Sequence, residues 1–151
     1  MQGNNDEDLE RFVTAQAGSI TAALGELRAG RKASHWMWYV FPQAEGLGMS
    51  ATSRRFAIRS LSHAAAYLAH PVLGPRLREC ATALLAHPQR SAHEIMGSPD
   101  DLKLQSSMTL FAAVPGADPV YTEVLATFFA GRLDARTIDW LGRHGGTKPG
   151  E

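Results

Sequence analysis

One stretch constrains the fold of this chain more than any other: residues 30–43, GRKASHWMWYVFPQ, here called the Trp-rich segment. It contains two of the three tryptophans in the chain, inside an unbroken run of large apolar and aromatic side chains at positions 36–41. Such a run has to be covered by the rest of the protein, because large exposed apolar patches are unfavourable in water. We therefore predict that Met37, Tyr39, Val40 and Phe41 lie in the core.

The polar residues at the two ends of this segment are the first candidates for function. They are Arg31, Lys32, Ser34, His35 and Gln43. His35 has the side chain best suited to proton transfer near neutral pH, although a histidine beside tryptophans also serves as a purely structural hydrogen-bond donor. Two interpretations also apply to Trp36 and Trp38, since an indole at the rim of a cleft can stack on a ligand ring, whereas a covered indole only packs.

Composition points to one globular domain with no strong overall charge. The chain has 151 residues, of which 44% are hydrophobic, enough for a single continuous core. The 15 basic residues balance the 15 acidic ones, which argues against nucleic acid and anionic membranes as partners. Residues 28–59 nevertheless hold six basic side chains and one acid, Glu45. This region is the part of the chain that could face an anion.

Apolar residues at helical spacing dominate the rest of the sequence. Residues 20–27, for example, follow the helical period and end at Gly30, a common helix stop. Strand-like alternation is not convincing anywhere, so we predict an all-α, compact single domain over residues 8–141, an orthogonal array of about six to eight short helices. Residues 1–7 and 142–151 are predicted to be flexible tails.

The secondary structure of the Trp-rich segment is less well specified. Residues 35–41 fit a short helix that ends before Pro42, but period-two alternation of the same residues also fits a strand. One small hairpin could therefore form within residues 36–59. The glycines and small side chains of residues 43–53 predict a loop, which is a candidate lid or rim of a site.

Two helix starts carry the clearest local signals in the chain. Ser91 with Glu94, and Ser98 with Asp101, each match a capping box, in which a serine and an acid three residues later satisfy each other's backbone N–H groups. The second box predicts a helix over residues 99–113.

This second helix places polar side chains among apolar ones. Asp100, Lys103 and Ser107 fall on a shared helical face, and Asp101 with Gln105 form another polar pair. Charged groups on a largely buried helix need partners, which a ligand cleft can supply. In the alternative interpretation, the two aspartates only cap the helix, and the lysine extends along its surface to solvent.

Several kinds of site have no support in the sequence. The single cysteine, Cys80, excludes an internal disulfide and has no nearby histidine for nucleophilic catalysis. Because the histidine spacings do not match a zinc site, and because no glycine-rich phosphate loop occurs, we predict no metal and no cofactor. No apolar run is long enough to cross a bilayer and the N-terminus is acidic, so we expect no membrane partner and a cytoplasmic protein.

Three motifs resemble one known family: KASHWMWYVFPQ at residues 32–43, AAYLAHPVLGPRL at 65–77 and GSPDDLKLQSSMTLFAA at 97–113. In this order they resemble the domain-of-unknown-function family 1810, whose members are often labelled calpastatin. The resemblance covers about residues 8–141 and implies a compact, mainly helical domain with no established activity. The calpastatin label has no basis here, since calpastatins are long, repetitive and disordered. A more distant resemblance, to the domain family that removes ADP-ribose from nucleobases, implies ADP-ribose as a candidate ligand.

Our first hypothesis is a cleft between the Trp-rich segment and the Pro99 helix that binds an anionic, ring-containing metabolite such as a nucleotide or an ADP-ribose derivative. His35 and Asp101 are the candidate catalytic residues, for proton transfer in hydrolysis or group transfer. The candidate ligand-binding residues are Arg31, Lys32, Ser34, Trp36, Trp38, Gln43, Arg55, Lys103 and Ser107. Whether the chain is an enzyme stays open.

The second hypothesis is a helical module that binds a protein or a nucleic acid without catalysis. It requires one exposed basic face that tracks phosphates. The arginines that would form it are Arg54, Arg55, Arg59, Arg76 and Arg78. The neutral overall charge weighs against the nucleic-acid version of this hypothesis.

Overall fold

Ten α-helices make up the part of the chain that the structure, a computed structural model, describes: residues 2–144 for the backbone and 9–143 for the side chains. In chain order they are α1 Gln2–Ala17, α2 Ile20–Ala29, α3 Met37–Val40, α4 Ala51–Arg55, α5 Leu61–Ala69, α6 Leu73–Leu84, α7 Ala92–Met96, α8 Asp100–Ala112, α9 Val120–Phe129 and α10 Ala135–His144. This part of the chain contains no strand, which confirms the predicted all-α class. None of these helices is both long and apolar enough to cross a membrane.

The count of ten exceeds the six to eight helices predicted, because α3, α4 and α7 are single turns of four or five residues. Segments this short do not display a helical period in the sequence. The optional hairpin within residues 36–59 is not formed: Ala44 and Ile58 make one isolated bridge, and it is parallel. The predicted tails, 1–7 and 142–151, lie largely outside the residues whose side chains are described.

Serine side chains cap the N-termini of several of the short helices. Ser91 Oγ accepts from the N–H of Glu94 at 3.0 Å, and the Glu94 carboxylate accepts from the N–H of Ser91 at 2.8 Å, so the first capping box is confirmed. The second box, Ser98 with Asp101, is wrong. Pro99 occupies the cap position of α8 and has no side-chain acceptor, while Asp101 Oδ1 accepts from the backbone N–H that follows it, at 2.9 Å.

The core is built around α8, which packs against α5, α7, α9 and α10. A row of four aromatic rings crosses this core from α1 to α9. Phe12 meets Tyr67 with ring centroids 5.3 Å apart, Tyr67 meets Phe111 at 5.3 Å, and Phe111 meets Tyr121 at 6.1 Å. Tilted and edge-on contacts of this kind add to the stability that burial provides.

The Trp-rich segment joins this core through α3. Met37, Val40 and Phe41 are at most 3% exposed, which confirms their predicted burial, whereas Tyr39 is only partly buried. The helix interpretation of the segment is correct for Met37–Val40 and the strand interpretation is wrong. Trp36 is also fully covered, so this indole contributes to packing as well as to any site beside it.

Candidate functional site

A carboxylate on α2 holds the beginning of the Trp-rich segment in place. Glu26 Oε1 accepts from the N–H of Ala33 at 2.8 Å, the N–H of Ser34 at 3.0 Å and the indole Nε1–H of Trp36 at 2.8 Å, and its Oε2 accepts from Ser34 Oγ at 2.5 Å. Burial alone would raise the pKa of Glu26, but these hydrogen bonds together lower it to about 2. The carboxylate is therefore charged throughout the neutral range.

Sequence reasoning missed Glu26, although a signal was present. A buried indole N–H needs an acceptor, and Glu26 is the only carboxylate in residues 11–44. The same contact shows where Ser34 belongs: its hydroxyl is used by Glu26. Ser34 therefore helps Glu26 to hold the segment in place and does not line the cavity described below.

Asp100, at the start of α8, connects the two lysines that the sequence had singled out. Lys32 Nζ lies 2.8 Å from Asp100 Oδ2, and Lys103 Nζ lies 3.4 Å from Asp100 Oδ1. The Lys32 side chain is only 8% exposed, and its ammonium also donates to the Ser34 carbonyl at 2.7 Å. The three charged groups carry one net positive charge, so their charges do not fully cancel.

Both lysines also contact indole rings. Lys32 Nζ lies 4.9 Å from the centroid of the Trp36 ring, and Lys103 Nζ lies 3.9 Å from that of Trp38. Cation–π contacts of this kind hold both partners in position. The prediction that Asp100 and Lys103 share a polar face of the helix is confirmed, while Ser107 on the same face is fully buried and its hydroxyl has no hydrogen-bond partner among the described residues.

A cavity of about 280 Å³ lies against this cluster, between the Trp-rich segment and the start of α8. Its lining residues are Lys32, His35, Trp36, Met37, Trp38, Tyr39, Thr52 and Asp100. Four of the predicted site residues are thus brought together: Lys32, His35, Trp36 and Trp38. Sequence reasoning missed the contributions of Tyr39 and Thr52, and Thr52 carries no pattern that could have identified it.

The other predicted site residues do not line this cavity. Arg31 is exposed; Gln43 is buried, and its Nε2 has no partner among the described residues. Arg55 lies on α4 with its guanidinium 5.5 Å from the Phe56 ring. Lys103 reaches the site only through Asp100 and Trp38.

The two candidate catalytic residues have different surroundings. His35 is exposed at the edge of the cavity, and its carbonyl accepts from the Tyr39 hydroxyl at 3.1 Å. Asp101 is not part of the lining; its Oδ2 lies 3.6 Å from Nδ1 of His93 on α7. A direct proton relay between His35 and Asp101 is therefore not built into this arrangement.

The described residues form neither a metal site nor a single basic face. In the described part of the chain, no group of three His, Cys, Asp or Glu side chains could hold a metal ion. Cys80 is fully buried, and burial raises the pKa of its thiol to about 12, which keeps it protonated. The arginines of the second hypothesis are divided among α4, the connection from α4 to α5 and α6, and Arg76 contacts Gln16 at 3.4 Å.

Comparison with known proteins identifies the family. The family model for "Protein of unknown function (DUF1810)" matches residues 6–141, nearly the whole chain. The chain belongs to the DUF1810 family. No curated protein matches it. The motifs of residues 32–43, 65–77 and 97–113 thus pointed to the correct family.

A solved structure supports the fold of this DUF1810 chain. The crystal structure of the conserved hypothetical protein Rv1873 from Mycobacterium tuberculosis is similar to it, with 51% sequence identity and a TM-score of 0.86. The match covers 88% of this chain and 95% of that one. The helical architecture described above is therefore shared by this solved structure.

Proposed function

We propose that the cavity between the Trp-rich segment and α8 binds a small anionic metabolite that contains a ring, such as a nucleotide or an ADP-ribose derivative. The observation that carries this proposal is the position of Lys32. Its ammonium is nearly buried, lies on the wall of a cavity beside two indoles, and shares the Asp100 carboxylate with Lys103. A buried cation beside aromatic rings suits a ligand with a ring and a negative charge.

Each group on the cavity wall has a distinct part in this proposal. Lys32 binds a phosphate or carboxylate oxygen while Asp100 stays paired with Lys103. Asp100 can also accept hydrogen bonds from sugar hydroxyls, because a carboxylate has more acceptor sites than the two lysines use. Lys103 covers one face of the Trp38 ring, and we assign the other face to the ligand ring.

The size of the cavity limits what it encloses. Ligand pockets for drug-sized molecules usually measure about 300–1,000 Å³, and this cavity, at about 280 Å³, lies just below that range. It fits one ring and its nearest anionic group. The rest of a nucleotide or of ADP-ribose extends past the exposed His35 at the rim.

Hydrolysis or transfer of the ligand is part of the proposal, with His35 as the group that transfers protons. Its exposed side chain at the cavity edge can reach the portion of a ligand that leaves the cavity. Asp101 is the second candidate, through its contact with His93. A cytoplasmic location belongs to the same proposal and rests on the single, unpaired Cys80.

A thermal-shift screen of the purified protein against nucleotides, ADP-ribose compounds and sugar phosphates tests the proposal. A ligand that binds only the folded state raises the melting temperature, and we expect at least one compound with both a ring and a phosphate to do so. Trp38→Phe and Lys32→Met should each reduce the shift. Arg28→Ala, which breaks an exposed ion pair with Glu79 elsewhere, should leave it unchanged. If no compound in the screen raises the melting temperature, the proposal is wrong.

A further inference from the structure

A second and larger cleft lies on another part of the molecule. It measures about 580 Å³ and lies between the corner that joins α5 to α6 and the connection from α8 to α9. It shares no lining residue with the cavity beside the Trp-rich segment. Four polar side chains line it: His70, Arg78, Asp118 and Tyr121.

Tyr121 is the residue that points to a ligand here. It is only 2% exposed and its ring packs on Phe111, yet its hydroxyl forms no hydrogen bond with the described residues although the side chain lines the cleft. The hydroxyl itself reaches solvent through the cleft, so a ligand that enters the cleft can take the place of water as its hydrogen-bond partner. The pKa of Tyr121 is raised to about 12 by burial and by Asp118, and is lowered in part by Arg78. The hydroxyl thus keeps its proton and is available as a donor.

His70 presents a second donor with a defined orientation. Its Nδ1 accepts hydrogen bonds from the backbone N–H groups of Val72 at 3.1 Å and Leu73 at 3.2 Å, at the start of α6. Because Nδ1 acts as an acceptor, the ring hydrogen of the neutral imidazole has to be on Nε2. The ring is fixed by these two contacts, so the Nε2–H group is a pre-oriented donor on the cleft wall.

Arg78 and Asp118 bring opposite charges to the same cleft. The Arg78 guanidinium forms no ion pair or hydrogen bond with the described residues and is exposed on the cleft wall. Asp118 Oδ1 accepts from the N–H of Val120 at 2.8 Å, which leaves its other oxygen available. The remaining wall is mostly apolar, with Leu68 and Val114 and three prolines.

We propose that this cleft is a second binding site, for a small zwitterion of the amino acid class, with a carboxylate and an ammonium group. Arg78, Tyr121 and the Nε2–H group of His70 bind the carboxylate, since all three are donors. Asp118 binds the ammonium group. The apolar wall takes an aliphatic side chain. One positive and one negative charge on the protein match one of each on the ligand, which a simple anion would not do.

Isothermal titration calorimetry with L-alanine, L-valine, L-leucine and L-proline tests this assignment. At least one of them should bind with a dissociation constant below about 10 mM. The best of the four is then compared with the same molecule lacking its amino group and with the same molecule lacking its carboxylate. Each analogue should bind at least about tenfold more weakly, because each loses one charge-assisted contact.

Variants then assign the contacts. Tyr121→Phe keeps the ring in the core and removes only the hydroxyl, and it should weaken binding about tenfold. Arg78→Met should weaken binding more, whereas Arg54→Met, which removes a charge from exposed α4, should not affect it. Two outcomes would overturn the assignment: no binding by any of the four amino acids, or equal binding by the analogue that lacks an amino group. Unchanged affinity in both Tyr121→Phe and Arg78→Met would do so as well.

Discussion

Glu26 is the residue on which the geometry of the Trp-rich segment depends most. Two backbone N–H groups, the Ser34 hydroxyl and the Trp36 indole all donate to this carboxylate. Lys32 lies in the same stretch of backbone, so its approach to Asp100 depends on the conformation that Glu26 maintains. The residue lies outside the cavity and acts by positioning the residues that line it.

We predict that Glu26→Gln lowers the free energy of unfolding at pH 7 by about 1–3 kcal/mol, because an amide replaces a charged acceptor. The folded-state pKa of about 2 is below the ordinary value of 4.5, so the carboxylate stabilises the fold fully above that value and less as the pH falls towards 2. Urea unfolding should show that the free energies of unfolding of wild type and variant differ less at about pH 3 than at pH 7. Equal urea midpoints for the two proteins at pH 7 would contradict this role.

Gly74 is a second position where one residue decides the local packing. A Cβ atom there would lie 2.1 Å from the carbonyl oxygen of Leu68, so α5 and α6 can meet at this corner only with a glycine. We predict that Gly74→Ala costs about 2–4 kcal/mol of stability. Gly25→Ala is the matched control, because a Cβ added there within α2 would meet no atom within 4 Å outside its own stretch of helix, and the replacement should stabilise the helix by up to about 1 kcal/mol. Similar unfolding midpoints for both variants would rule out the close contact.

The sequence identified some residues of the candidate site and could not identify others. Lys32, His35, Trp36 and Trp38 are neighbours along the chain, so finding one located the rest. The pairing of Lys32 with Asp100 depends on how α8 packs against the segment, which no local pattern specifies. Ser107 followed the helical period correctly, but its position further along α8 placed it in the core instead of the cavity.

At the scale of the elements, α7 and α8 show why helix starts have to be tested individually. Both carry a serine followed three residues later by an acid, yet only Ser91 caps its helix. We predict that Ser91→Ala lowers the stability by about 1 kcal/mol, through loss of the acceptor for the Glu94 N–H. Ser98→Ala, the control with the same sequence pattern, should change stability by less than about 0.5 kcal/mol. Equal losses measured by urea unfolding would show that both serines act as caps.

The same comparison explains the errors in predicting elements. A capping box is a pattern of residue types, but Pro99 takes the cap position of α8 and moves Ser98 outside the helix. The helices α3 and α4 are single turns, too short for a helical period to be visible in the sequence. They form because of packing and, for α4, because Ser50 caps its start. The longer helix α2 was predicted because its apolar positions repeat with the helical period over residues 20–27.

For the whole molecule, the all-α class followed from patterns that are local in sequence, and the family followed from three motifs in order. The arrangement of the helices did not follow from the sequence, because it depends on long-range contacts such as the aromatic row from Phe12 to Tyr121. The two proposed binding sites result from this arrangement. The cavity beside the Trp-rich segment is formed mainly by that one segment, so the sequence pointed to it. The cleft beside Tyr121 combines residues of α5, α6 and α9, so it is recognised only in the structure.

Titration of the intrinsic tryptophan fluorescence with ADP-ribose and with AMP tests whether the cavity beside the Trp-rich segment binds a ring-containing anion. Two of the three tryptophans line this cavity, so occupancy should change their emission. We expect a saturable change with a dissociation constant below about 1 mM for at least one ligand, and Lys32→Met should weaken that binding at least about tenfold. The absence of a saturable change with either ligand, or an identical titration of Lys32→Met, would contradict it.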